Sequence, residues 1–144
     1  MDNSLKFSTT IDIHATADVV WDTITNPELV KKYFFNTEIE TSWQPGSPIF
    51  WRGEWDGKAY EEKGEILDID PGNSISMSYL SSMLEDNPEN YSVLNYSIET
   101  TDDEFSKLTL EQVGFVNEEA LGHSKQNWEQ VLDGLRKVAE EENE

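Results

Sequence analysis

The groups in this chain able to do chemistry are two histidines, several runs of carboxylates and an unusual stock of aromatic rings (five Trp, five Tyr and six Phe). His14 closes a stretch of alternating apolar and polar residues, and His123 lies off the apolar stripe of a long helix. Either could serve as a general base or metal ligand. A catalytic histidine needs a nucleophile and an orienting group, and no such set stands near either one, so a cap or surface role is the plainer reading. Asp68-Ile69-Asp70-Pro71-Gly72 opens like a calcium loop, but Tyr79 occupies the position of the closing Glu. Asp102-Asp103-Glu104 is consecutive, so its side chains diverge, as in a hairpin turn. The chain has no Cys, phosphate loop, zinc spacing or Gly-x-Ser-x-Gly elbow. No catalytic residue, metal site or cofactor is expected.

The aromatic residues carry more information. Strand phase puts Trp51, Trp55, Met77, Tyr79, Leu94, Tyr96, Ile98, Leu108, Leu110 and Gln112 on one face, with Trp128 of the last helix laid across it. Phe34 and Phe35 close one mouth. Apolar walls with a few polar groups (Glu62, Tyr79, Tyr96, Gln112, Asn127) describe a small-molecule pocket. They equally describe a filled core, where Tyr and Trp pack with one hydrogen bond satisfied. Glu62 shares its phase with Tyr60, Gly64 and Ile66. An inward carboxylate must find a partner or ionise late; a bulge would instead make it a solvated rim residue. The candidate ligand-binding set is Phe34, Trp51, Trp55, Glu62, Met77, Tyr79, Tyr96, Gln112 and Trp128.

These residues need a scaffold, and the periodicity supplies one. Leu5 to Ile13 alternates as a half-buried strand. Thr16 can cap a helix carrying Ala17, Val20, Trp21 and Ile24, and Asn26-Pro27-Glu28 opens a second short helix through Phe34. From Thr37 to Phe115 the period is two, punctuated by turn signals at Pro45-Gly46, Asp56-Gly57, Asp70-Pro71-Gly72-Asn73, Glu85 to Pro88 and Thr101 to Glu104. Asn117-Glu118-Glu119 then starts a long helix with Leu121, Ser124, Trp128, Val131, Leu132, Leu135, Val138 and Ala139 on one stripe. The tail, about 140–144, puts acid at the negative helix end and is expected to fray. The order is strand, two helices, six strands, helix, in one domain spanning 1–144.

At 144 residues the chain can bury roughly 70% of its unfolded surface. Thirty acidic against ten basic residues leave a net charge of −20. Such a surface repels nucleic-acid phosphates and anionic membranes, and it suits a basic partner or simple solvation. No apolar run spans a membrane and no secretion signal is present, so a soluble cytoplasmic protein is expected. Nothing in the pattern selects an oligomeric state.

The element order is that of the α+β helix-grip fold, a curved antiparallel sheet of six or seven strands wrapped around a long C-terminal helix. Ile13-His14-Ala15-Thr16-Ala17-Asp18-Val19-Val20-Trp21-Asp22-Thr23-Ile24-Thr25-Asn26-Pro27-Glu28 resembles the opening motif of the family named after the activator of the heat-shock protein 90 ATPase, in the START-like (SRPBCC) superfamily. Asp56-Gly57, Gly64-Glu65-Ile66-Leu67-Asp68-Ile69-Asp70-Pro71 and Asn127-Trp128-Glu129-Gln130-Val131-Leu132-Asp133-Gly134-Leu135 resemble the same family in the same order, covering about Ser8 to Val138. Two departures stand out: Pro45-Gly46 where the family usually has Gly-Gly, and Asn127-Trp128 where it has Gly-Trp. The second pushes Asn127 aside or aims its amide at the cavity.

The resemblance implies a grip that encloses some cavity, and so a non-enzymatic binding protein for a small hydrophobic or amphipathic molecule. The family name implies an alternative, a chaperone-associated interaction module, although this chain has no room for the further N-terminal domain of the eukaryotic co-chaperone. Related grips include polyketide aromatases and cyclases, so a cyclase or hydrolase using Glu62 is a third alternative.

Overall fold

Period-two alternation becomes a single sheet of seven strands. The computed structural model describes residues 2–34, 37–55, 57–80, 85–87, 90–115 and 117–142, with the side chains of 2–4 and 55 left aside. Phe35, Asp56, Pro88 and the Trp55 side chain, singled out above, lie outside this set. The strands are β1 (Asp2–Ile13), β2 (Glu38–Thr41), β3 (Pro48–Trp55), β4 (Lys58–Asp70), β5 (Ser74–Tyr79), β6 (Ser92–Thr100) and β7 (Ser106–Phe115). The helices are α1 (Ala17–Thr25), α2 (Pro27–Tyr33) and α3 (Glu118–Glu142). The sheet runs β1-β7-β6-β5-β4-β3-β2 with every neighbour antiparallel. This is the expected helix-grip architecture.

Local chemistry explains the boundaries. The Asn26 side chain accepts the Glu28 N–H at 3.0 Å and Pro27 sits at the first helical position, so α2 begins where α1 ends. Asp102 Oδ1 accepts the N–H groups of Glu104 and Phe105, which makes the acidic run a hairpin device. The helix α3 continues through the acidic tail to Glu142. There Glu140 accepts the His14 N–H at 3.0 Å and Glu142 faces Lys32 at 3.7 Å.

Packing sets where the sheet and helices can approach. Trp128, Val131, Leu132, Leu135, Val138 and Ala139 are the buried stripe of α3, as the 3.6-residue period predicts. A Cβ on Gly134 would come 2.9 Å from the Cβ of Tyr33, so glycine lets α3 lie close against α2. Asn127, by contrast, is exposed. The position one residue before Trp128 is turned about 100° around the helix from it, away from the sheet. In β4 a Cβ on Gly64 would fall 1.8 Å from the Ser78 carbonyl oxygen, so β4 and β5 meet there only because the residue has no side chain. The register slips between Ile66 and Asp68, beyond that contact. Trp43, before the Gln44–Ser47 turn, takes φ +57 and packs a half-buried ring on the core.

Candidate functional site

The inner face of the sheet is built in rows. Ile66, Met77, Leu94, Gln112 and Phe7 stand side by side across five strands, all buried. The next row holds Ile69, Ile75, Tyr96, Leu110 and Thr9. Trp128 is laid over these rows with its ring edge-on to Tyr96 (centroids 6.1 Å) and to Phe34 at the end of α2 (5.7 Å). Nearer the free end of the sheet, Trp51 meets Tyr79 edge-on at 5.2 Å.

Polar groups on this wall fall into three kinds. Gln112, 4% exposed, is engaged at both ends of its amide: its Oε1 accepts from Trp128 Nε1 at 3.0 Å and from Ser124 Oγ at 2.6 Å, while its Nε2 donates to Ser92 Oγ at 2.9 Å. This network ties β6, β7 and α3 together and fixes the height of α3 over the sheet.

Glu62 is the second kind. The slip in β4 lies past it, so its phase holds: it stands opposite Trp51, itself an inward residue. The carboxylate is half-buried and hydrogen-bonded to the Tyr79 phenol. Burial, followed by the charge and hydrogen bond of Glu62, pushes the Tyr79 phenol well above its ordinary pKa.

Tyr96 is the third kind. It is 8% exposed, burial raises its pKa, and among the described residues its hydroxyl has no hydrogen-bond partner. Every fully enclosed side-chain nitrogen or oxygen among the described residues does have one. The Tyr96 hydroxyl is therefore not a fully enclosed orphan.

Comparison with known proteins follows the same lines. Residues 14–140 match the family described as Activator of Hsp90 ATPase homolog 1-like protein. The chain belongs to this family. No curated protein matches it. Among solved structures, a protein from Cytophaga hutchinsonii is 35% identical with a TM-score of 0.80, over 99% of this chain and 98% of that one. An HSP90 activator from Plasmodium falciparum has a TM-score of 0.76 at 15% identity, over 93% and 95%. The Aha1 dimer from Colwellia psychrerythraea has a TM-score of 0.76 at 16% identity, over 94% and 96%. The last two are likenesses of fold.

Within this family member, Phe34, Trp51, Met77, Tyr79, Tyr96, Gln112, Trp128 and Glu62 all reach the inner wall or its rim. The predicted residues line neither of two depressions found on the surface of the described residues. One, of about 410 Å³, runs between β1 and α3 past Ile11, Leu132 and Arg136; the other, of about 310 Å³, lies by Thr16, Asp18 and Asp102. His14 stacks on Phe105 (4.4 Å, 10°) with Glu104 at 3.6 Å, and His123 sits exposed beside Glu119. Among the described residues no group of three or more His, Cys, Asp or Glu could hold a metal ion, and no helix is long and apolar enough to cross a membrane.

Four site residues escaped the sequence reading: Ser92, Ser124, Tyr60 and Thr37. Ser92 shares the inward phase of Leu94 and Tyr96, and Ser124 sits on the α3 stripe, so both were legible as partners for an inward glutamine. The Tyr60 hydroxyl meets Thr37 Oγ1 at 2.8 Å, and its ring covers Gly53, where a Cβ would strike it at 2.6 Å. Only the bare glycine opposite could have signalled that crossing.

Proposed function

We propose that this chain is a non-enzymatic, cytoplasmic binding protein that holds a small hydrophobic or amphipathic molecule between the inner face of the sheet and α3. The observation that carries the reading is the Tyr96 hydroxyl, on a side chain 8% exposed beside Trp128 and with no hydrogen-bond partner among the described residues, while Gln112 is engaged at both ends of its amide. A bound molecule with one acceptor or donor can pair with that hydroxyl, a hydrogen bond worth about 0.5–1.5 kcal/mol net. The surrounding rings supply the apolar term, about 25 cal/mol per Å² of ligand surface covered before ordering costs. Helix-grip relatives support the reading at the level of fold.

The test is titration with 1-octanol, followed by the indole N–H resonances of the five tryptophans. Saturable shifts concentrated on Trp51 and Trp128 support the proposal. Unchanged indoles across the accessible range, together with a native mass equal to the denatured mass, overturn it.

A second reading rests on the family description: a module that stimulates the ATPase of a heat-shock protein 90 chaperone. The net charge of −20 suits a basic surface on such a partner. Adding the protein to the chaperone and measuring ATP turnover tests it, with a saturable rise expected and a flat rate as the refutation.

A further inference from the structure

The two edges of the sheet are unlike. The β2 edge is four residues long, and its Glu38 is already paired with Lys31. The β1 edge is 12 residues long, carries no proline, and keeps an unbroken register with β7 from Lys6 to Ile13. Among the described residues no strand lies along its other side. The depression of about 410 Å³ sets α3 back from Thr9 and Ile11, which are half-exposed. Such an edge offers backbone donors and acceptors to any strand that reaches it, and proteins ordinarily blunt it with short length, proline or charge.

The charges on this edge suit one strand in particular. Lys6 and Asp12 are the two charged residues between Leu5 and Ile13. Both are exposed on the outer face, and neither makes an ion pair among the described residues, although Lys107 of β7 stands opposite Asp12 in the register. They lie three residues to either side of Thr9. A second β1 laid antiparallel about Thr9 therefore sets Lys6 opposite Asp12 at two places on the outer face, and Phe7 opposite Ile11 at two places on the inner face. A shift of two residues loses both charge pairs, because Lys6 then meets Thr10 or His14. A shift of one turns the apolar face outward. In the matched register the inner row of Ile66, Met77, Leu94, Gln112 and Phe7 continues into Ile11 of the second copy.

We infer that the β1 edge is a docking surface for a second copy of this chain, the two β1 strands pairing antiparallel about a twofold axis at Thr9. Strand pairing alone makes a small interface, and the net charge of −20 on each copy opposes it, so the association is weak and concentration-dependent.

Sedimentation equilibrium over a range of protein concentrations tests this in about 0.15 M salt, where charges more than about 8 Å apart are largely screened. Monomer and dimer should exchange with concentration. Lys6→Asp and Asp12→Lys should each weaken the dimer about tenfold, although the first adds negative charge and the second removes it. An equimolar mixture of the two variants should restore association, because every mixed pair again sets Lys against Asp. Lys58→Asp, at the β3–β4 turn, repeats the first change of charge away from this edge and should leave the dimer within about twofold. Positions 6 and 12 bond no other side chain, so the Tm of both variants should stay near that of the parent. A monomer at every concentration overturns the inference. So does a dimer that both variants leave intact, or a mixture that associates no better than either variant alone.

Discussion

Replacing Gln112 by Leu removes a side chain of similar size and leaves three partners behind. The Trp128 indole N–H is buried and loses its acceptor, a cost of about 1–3 kcal/mol. Ser92 is buried as well, but its hydroxyl already lies 3.5 Å from the Tyr79 carbonyl and can strengthen that contact, so about 1 kcal/mol is expected there. Ser124 is half-buried and turns to water at little cost. The expected loss is about 2–4 kcal/mol, or roughly 10 °C in Tm for a chain of this length. Urea unfolding gives the free energy, and the Trp128 indole resonance reports whether the helix has shifted. A double-mutant cycle with Trp128→Phe should return a coupling of about 1–2 kcal/mol. A loss below about 1 kcal/mol with the indole shift unchanged would refute the reasoning, because it would mean that water replaces the amide.

Other consequences can be checked separately. Tyr96→Phe should change stability by less than about 0.5 kcal/mol, because no partner among the described residues is lost, yet weaken 1-octanol binding severalfold; a large loss of Tm in the free protein would show that the hydroxyl is engaged. Gly64→Ala should prevent the β4–β5 pairing and cost more than about 3 kcal/mol, measured by urea unfolding against Gly46→Ala, which meets no atom and costs only about 1 kcal/mol for its positive φ. Burial raises the phenols of Tyr33, Tyr79 and Tyr96, so above pH 10.0 the unfolded chain releases protons that the native state keeps. Stability should therefore fall as pH rises past that point, with tyrosinate absorbance from these residues appearing only as the fold is lost. At the acid end, Lys63 and Tyr91 hold the Asp86 carboxyl below its ordinary value, so that contact stabilises above the usual carboxylate range and weakens as pH falls through the lowered midpoint; an NMR titration of Asp86 should show the displacement. Finally, with a net charge of −20, Tm should rise with added salt at neutral pH, and a decline would mean that the ion pairs outweigh the self-repulsion.

Elements with a strong period were legible residue by residue. The α3 stripe declared itself because Trp128, Val131, Leu132 and Leu135 recur at helical spacing, and the inward phase of Tyr96 and Gln112 followed from unbroken alternation in β6 and β7. Glu62 was open because parity survives only as far as the first bulge, and a bulge leaves no local mark; here it falls after Ile66, so the inward choice holds. Of the two places open to Asn127, aside or toward the cavity, the structure shows the first, on the exposed side of α3. The tight contact belongs to Gly134 against Tyr33, seven positions from Asn127. Trp43 was invisible, since a tryptophan at φ +57 is held by its surroundings against its own preference. The hydrogen bonding of Gln112 depends on Ser92 and Ser124, which come from opposite sides of the sheet–helix boundary and are joined only by the tertiary fold.

The strand order has a consequence in time. The strand β1 lies at one edge of the sheet, and among the described residues its only strand partner is β7, with Thr9 facing Leu110 and Ile13 facing Ser106. On a ribosome the first strand therefore waits through almost the entire synthesis of the domain before its hydrogen-bonding edge can be covered. The β2–β3–β4–β5 hairpins, each joining neighbours in the chain, can zip up during that wait, because short loops close at little entropic cost. The amino-terminal strand thus cannot dock before residues 106–115 emerge, and its pairing edge stays open to mispairing until then.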